Sequence, residues 1–279
     1  MSGLKKQFQF VHIPKTAGTT FALILTRQFK WAKKLSFYSP KARLKYPTLT
    51  PEYKNKFDLS YGHIGFTANQ GLERGIEYFT FLRSARERLL SSYRHIKGDG
   101  NHVIKKQINV DDYTLKDFLK QGLVRNFDNL MVRYLSNTIQ KNFLTVNEED
   151  LKTAIKNFDE HFHIFGLTEY FDESLVLLSD YMNWPPLYYV KENKSSYKID
   201  KSELDAETEE LIKLCSKYDE VLFQHALKKF KALMEEKKEV IEKGLKELHE
   251  GNKKYATIIK IRNNVNLAYA RLRKLFATI

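Results

Sequence analysis

A chain of 279 residues, 42% of them hydrophobic, has room for one large or two small domains and enough apolar mass for a sizeable core. Its single cysteine, Cys215, excludes an internal disulfide framework, and no apolar run nears the roughly 20 residues that span a bilayer. The formal charge of +13 is unevenly placed: from Lys228 onward fourteen basic residues face six acidic ones, which leaves a surplus of only five for the first 227 residues. The body is therefore mildly basic, as suits an anionic small molecule, and no nucleic-acid-binding motif accompanies the charge. The opening "MSGLKKQFQF" lacks the apolar core of a secretory signal, so a soluble, cytoplasmic protein is expected.

In chain order, "QFQFVHI" mixes aromatic and β-branched residues and predicts a buried strand that Pro14 ends. "TTFALILTRQFKWA" has helical periodicity, with hydroxyls where an N-terminal cap belongs. "FDLSYGHIGF" predicts a short second strand running into a turn at Gly62 and Gly65, and "YFTFLR" a third, followed by the helix "SARERLLSSYRHIK". Residues from Tyr113 to Leu135 and from Glu148 to Phe158 read as helical. "HFHIFGLTEY" predicts a fourth strand and "FDESLVLLSDYM" the helix after it. This alternation argues for an α/β fold with a parallel sheet covered by helices on both faces. "NWPPLYYVKENKSSYKID" is a proline-punctuated connection leading into a basic, hydroxyl-rich loop. From about Ser202 the chain reads as helical, and breaks at Gly244 and Gly251 suggest a terminal hairpin. Ile258, Ile261, Val265, Leu272 and Leu275 would line one face of its last helix.

Chemistry concentrates in "FVHIPKTAGTTF". After a strand, the backbone N–H groups of Lys15, Thr16, Ala17, Gly18, Thr19 and Thr20 can converge on a phosphate at the helix N-terminus, where the dipole favours negative charge. Gly18 permits close approach, the threonines offer hydroxyls, and Lys15 can neutralise charge developing on a leaving phosphate oxygen. The order differs from G-x-x-x-x-G-K-[ST], because the lysine precedes the glycine. The same residues also suit an ordinary strand–turn–helix connection with a solvated lysine.

In "FLRSARERLLSSYRH", Arg83 falls at a strand end and Ser91 two helical turns later, a pair able to hold a phosphate dianion. Arg86, Arg88 and Arg94 read as solvated helix charges, and Leu89, Leu90 and Tyr93 as core. Among eight histidines, His63 stands between Gly62 and Gly65 in a turn that could face a cleft, His95 is its nearest rival, and His12 reads as packing.

Taken together, "HIPKTAGTT" and "FLRSARERLLSSYRH" resemble the carbohydrate sulfotransferases that use 3′-phosphoadenosine 5′-phosphosulfate (PAPS), in particular the heparan 2-O- and 6-O-sulfotransferase branch and its bacterial relatives. "SYGHIGF" and "IFGLTEYFDESLVLL" resemble two further stretches of that family, and "YDEVLFQHA" its closing helix. The resemblance covers most of residues 8–227. It implies a P-loop-like three-layer fold over residues 1–227, with 228–279 as a helical extension. The first loop would grip the 5′-phosphosulfate, Arg83 and Ser91 the 3′-phosphate, and Lys194, Ser195 and Ser196 a loop closing over the nucleotide. His63 would be the general base and Lys15 would stabilise the leaving phosphate, with no metal. The acceptor would be a hydroxyl, most simply of a glycan.

Two other readings stand beside it. One is a P-loop-like kinase or phosphotransferase, which the displaced lysine and the lack of a convincing Walker-B aspartate disfavour. The other is a binding or scaffold protein acting through the basic tail. Packing or homo-oligomerisation is the expectation for that tail ahead of membrane binding, because its charges are mixed. Lys97, Lys105, Lys106 and Arg125 are candidates to face an anionic saccharide, or ordinary surface charges.

Overall fold

The computed structural model describes residues 6–30, 32–68, 71–72, 75–99, 102–190 and 197–276. Five parallel strands form one sheet: β1 (Gln7–Val11), β2 (Lys34–Phe37), β3 (Leu59–Gly62), β4 (Ile76–Leu82) and β5 (Gly166–Leu167), in the order β2-β3-β1-β4-β5. Helices cover it: α1 (Gly18–Gln28), α2 (Pro40–Lys45), α3 (Pro51–Lys54), α4 (Ala85–Gly98), α5 (Leu115–Lys120), α6 (Leu130–Leu135), α7 (Glu148–His161), α8 (Phe171–Met182), α9 (Ala206–Glu236) and α10 (Lys238–Phe276). This is the expected α/β architecture.

β1 is central and wholly buried, as a parallel strand covered on both faces must be. Its two glutamines are satisfied: Gln7 Nε2 donates to the carbonyls of Lys54 and Phe57, and Gln9 Nε2 reaches the Tyr46 hydroxyl. Phe8, Phe10, Phe21, Phe79 and Phe81 interlock between sheet and α1, with ring centroids 4.8 to 6.3 Å apart. A second core joins α4, α5 and α9 through Leu89, Tyr93, Phe118, Phe127, Ile212 and Cys215.

Four readings of the sequence need correction. β2 was not anticipated. The fourth strand shrinks to Gly166–Leu167, because α7 runs on to His161 and a 3-10 turn, Thr168–Tyr170, follows at once. The span Tyr113–Leu135 is two short helices, with the left-handed Asn129 opening α6. Finally, the tail does not break at its glycines. α9 stops at Glu236, and α10 then runs unbroken past Gly244 and Gly251, packed chiefly on α8. Those glycines are needed for contact: a Cβ on Gly244 would sit 2.4 Å from Val176 Cγ1, and one on Gly251 2.0 Å from Tyr188 Cε1.

The chain leaves β1 toward the β2 edge and leaves the adjacent β4 toward the β5 edge, so the carboxyl ends of β1 and β4 border a switch point, the usual place for a ligand crevice in such sheets. His12 to Thr20 follow β1, His63 follows β3, and Arg83 follows β4.

Candidate active site

A cleft of about 1790 Å³ opens at that sheet edge. Pockets for one small ligand run roughly 300–1,000 Å³, so this one has room for two reactants. Lys15, Arg43, Lys54, Arg83 and Arg125 line it against the single carboxylate of Asp99, counted among the described residues.

The loop after β1 is bent by two non-glycine residues in the left-handed region, Lys15 (φ 72°) and Ala17 (φ 62°). Such conformations cost about 1–3 kcal/mol each and collect at ligand sites. Ala17 caps α1 without any side-chain hydrogen bond, and no acidic residue sits in the first turn. The first-turn N–H groups and the positive end of the dipole therefore look into the cleft, which Lys15, Ala17, Gly18, Thr19 and Thr20 all line. Thr16 differs. It is buried, and its hydroxyl donates to the Ile13 carbonyl at 2.8 Å, so only its amide remains to serve an anion.

Arg83 joins the loop from β4, donating from Nη1 to the Lys15 carbonyl at 3.2 Å. Burial and nearby Arg94 lower its pKa, while Glu169 and Glu87 pull the other way. Glu169, in "GLTEYF", accepts the Ser84 amide at 2.9 Å, and the Thr168 hydroxyl donates to the Leu82 carbonyl at 3.1 Å. That stretch thus fastens the β4–α4 corner that presents Arg83. One helix face of α4 then brings Ser91 and His95 to the cleft. Lys15 feels the crowding: burial first, then Arg83 and Arg94, bring its ammonium down to about 8.

His63 lines the cleft beside His12, their rings 4.4 Å apart. Its Nδ1 donates to the His12 carbonyl at 2.9 Å, which fixes the tautomer and leaves Nε2 unprotonated to act as a base. Burial, with Arg43 and Lys15 adding to it, lowers its pKa to about 4, so the imidazole is neutral near pH 7.

His12, read as packing, does more. Its ring stacks on Phe10, lies 4.4 Å from the His63 ring and bonds through Nδ1 with the Tyr38 hydroxyl at 2.7 Å. A Cβ on Gly18 would fall 1.9 Å from His12 Nε2. The close approach that Gly18 permits is thus that of His12. The position beside the loop was visible in the sequence; the carbonyl that aims His63 was not.

Arg88 is the clearest misreading. It is 0% exposed and paired with the equally buried Asp219, Nε to Oδ2 at 3.4 Å. Lys97 and Lys105 turn their ammonium groups to the carbonyls of Val110 and Lys97, whereas Arg125 lines the cleft. Lys194, Ser195 and Ser196 lie outside the described residues.

The family model described as galactose-3-O-sulfotransferase matches residues 2–274. The chain belongs to the galactose-3-O-sulfotransferase family. This is a family of carbohydrate sulfotransferases, and the match runs through most of α10 as well as the sheet domain. It does not bear out the heparan 2-O/6-O branch or a bacterial type. The stretches that suggested that branch line the cleft around the first loop and the β4–α4 corner, and nothing in them names an acceptor. No curated protein matches the chain.

Proposed function

We propose that this protein transfers a sulfuryl group from PAPS to a hydroxyl of a galactose-bearing glycan. The observation that carries the reading is the convergence of an uncapped helix N-terminus, Lys15 and Arg83 on one cleft that is also lined by His63, whose Nδ1 is engaged by the His12 carbonyl. The loop amides and Lys15 hold the 5′-phosphosulfate, and Arg83 and Ser91 hold the 3′-phosphate. In the transfer, the acceptor oxygen bonds to sulfur while the bond from sulfur to the phosphate oxygen breaks. The departing electron pair stays on that phosphate oxygen, where Lys15 and the amides meet the growing charge. The acceptor proton goes to Nε2 of His63. The products are a sulfate ester and 3′-phosphoadenosine 5′-phosphate.

The test has two parts. Calorimetry with 3′-phosphoadenosine 5′-phosphate should register binding that Arg83→Ala weakens. Labelled PAPS should then pass its sulfate to a terminal galactoside and not to the matched 3-deoxygalactoside. Absence of heat with folded protein would falsify the donor assignment, and equal labelling of both acceptors would remove the regiochemistry.

A further inference from the structure

The two sides of α10 have different fates. Ile241, Leu248 and Ile259 are buried against the body, and Asn263 bonds with Arg27 at 2.8 Å. Away from that contact, Ile258, Ile261 and Val265 are 50, 58 and 60% exposed. They are spaced three and four residues apart, so they form one stripe along the helix. In sequence, Leu272 and Leu275 continue the spacing.

Charge then selects an occupant. The mixed charges of the tail end at Glu250: residues 251–279 hold seven Lys or Arg and no Asp or Glu. Lys253, Lys254, Lys260 and Arg262 are exposed around the stripe. A second copy of the helix would bring only like charges together beyond Glu250. An anionic lipid surface takes both features, because acyl chains accept the isoleucines while headgroups face the cations. No helix among the described residues is long and apolar enough to cross a membrane, so the contact would lie along the surface.

We infer that the outer face of α10, centred on Ile258, Ile261 and Val265 with Lys260 and Arg262 beside them, docks the protein on anionic membrane. This reverses the order of expectations that the charge count of the whole tail suggested.

The experiment is co-sedimentation of the full chain with phosphatidylcholine vesicles, with and without phosphatidylserine. Partitioning should require phosphatidylserine, weaken as salt rises, and fall by about tenfold or more in K260E/R262E, since each cation contributes near the surface. Ile258→Asn/Ile261→Asn/Val265→Asn should fall similarly, and sedimentation velocity without vesicles should give the same species for it and the wild type. The inference is overturned by no binding, by equal binding to both vesicles, or by variants that bind as the wild type does. It is overturned equally by a wild-type dimer that the triple substitution dissociates, because a second copy would then cover the stripe.

Discussion

Lys15 and His63 line one cleft in opposite protonation states, a cation and a neutral base, and burial has moved both toward neutrality. The proposed transfer needs Lys15 charged and His63 uncharged, so kcat/KM should hold a plateau between about 4 and about 8 and fall on either side. An acid limb centred on the ordinary histidine value near 6.5 would count against the lowering of His63 by burial. The same histidine affects stability. Its folded pKa lies below the unfolded one, so the unfolded chain binds more protons between them. Its contribution is complete above about 6.5 and is lost as pH falls toward about 4, which chemical unfolding at stepped pH would read. Lys15→Ala should lower kcat by roughly 10²–10³, the loss typical of one well-placed donor, while the thermal midpoint holds or rises because a buried cation is removed. Unchanged kcat would strip Lys15 of its role.

At the scale of elements, α10 matters because it steadies the cleft wall. Asn252 Oδ1 accepts the Tyr189 amide at 2.7 Å, the Tyr189 hydroxyl donates to Asp172 at 2.6 Å, and Tyr189 lines the cleft. Gly251→Ala should push the helix from Tyr188, costing about 1–3 kcal/mol of overpacking against about 1 kcal/mol gained in helix propensity. A lower thermal midpoint with weaker binding of 3′-phosphoadenosine 5′-phosphate is the expected pair of results; a raised midpoint would show that the contact relaxes freely. The elements that were legible share one property, a local pattern strong enough to decide. β1, β4, α4 and α8 carry apolar runs or clear helical spacing. β2 carries "KLSF", too short and too exposed at the sheet edge to announce itself. The glycines of α10 looked like breaks because sequence shows a missing side chain and not the neighbour that needs the space. Likewise Lys15, Arg83 and His63 stand in three stretches with local signals and come together at one cleft, while the link of His12 to His63 runs through a backbone carbonyl and Arg88 answers to an aspartate far along the chain.

In the whole molecule, two ion pairs among the described residues are wholly buried, one local and one between distant segments. Arg133 meets Asp128 and donates also to the carbonyls of Lys141 and Asn142, a well-satisfied arrangement. Arg88 and Asp219 join α4 to α9, and burial outweighs their attraction, lowering the arginine pKa and raising that of the aspartate. Asp219→Ala should therefore destabilise the fold by about 3–5 kcal/mol by stranding a cation, whereas Arg88→Met with Asp219→Leu should lose only about 1–3 kcal/mol, for the Val132 amide that Asp219 Oδ1 accepts at 2.9 Å. Equal losses in the single and double variants, measured by denaturant unfolding, would count against a charge-pair origin.

The bond from Arg27 Nη1, in the last turn of α1, to Asn263 Oδ1 joins residues 236 positions apart. On a ribosome the helix therefore emerges long before the side chain that it bonds. A chain cut between Tyr188 and Asn263 would keep the Arg27 bond to the Tyr188 carbonyl and lose the one to α10.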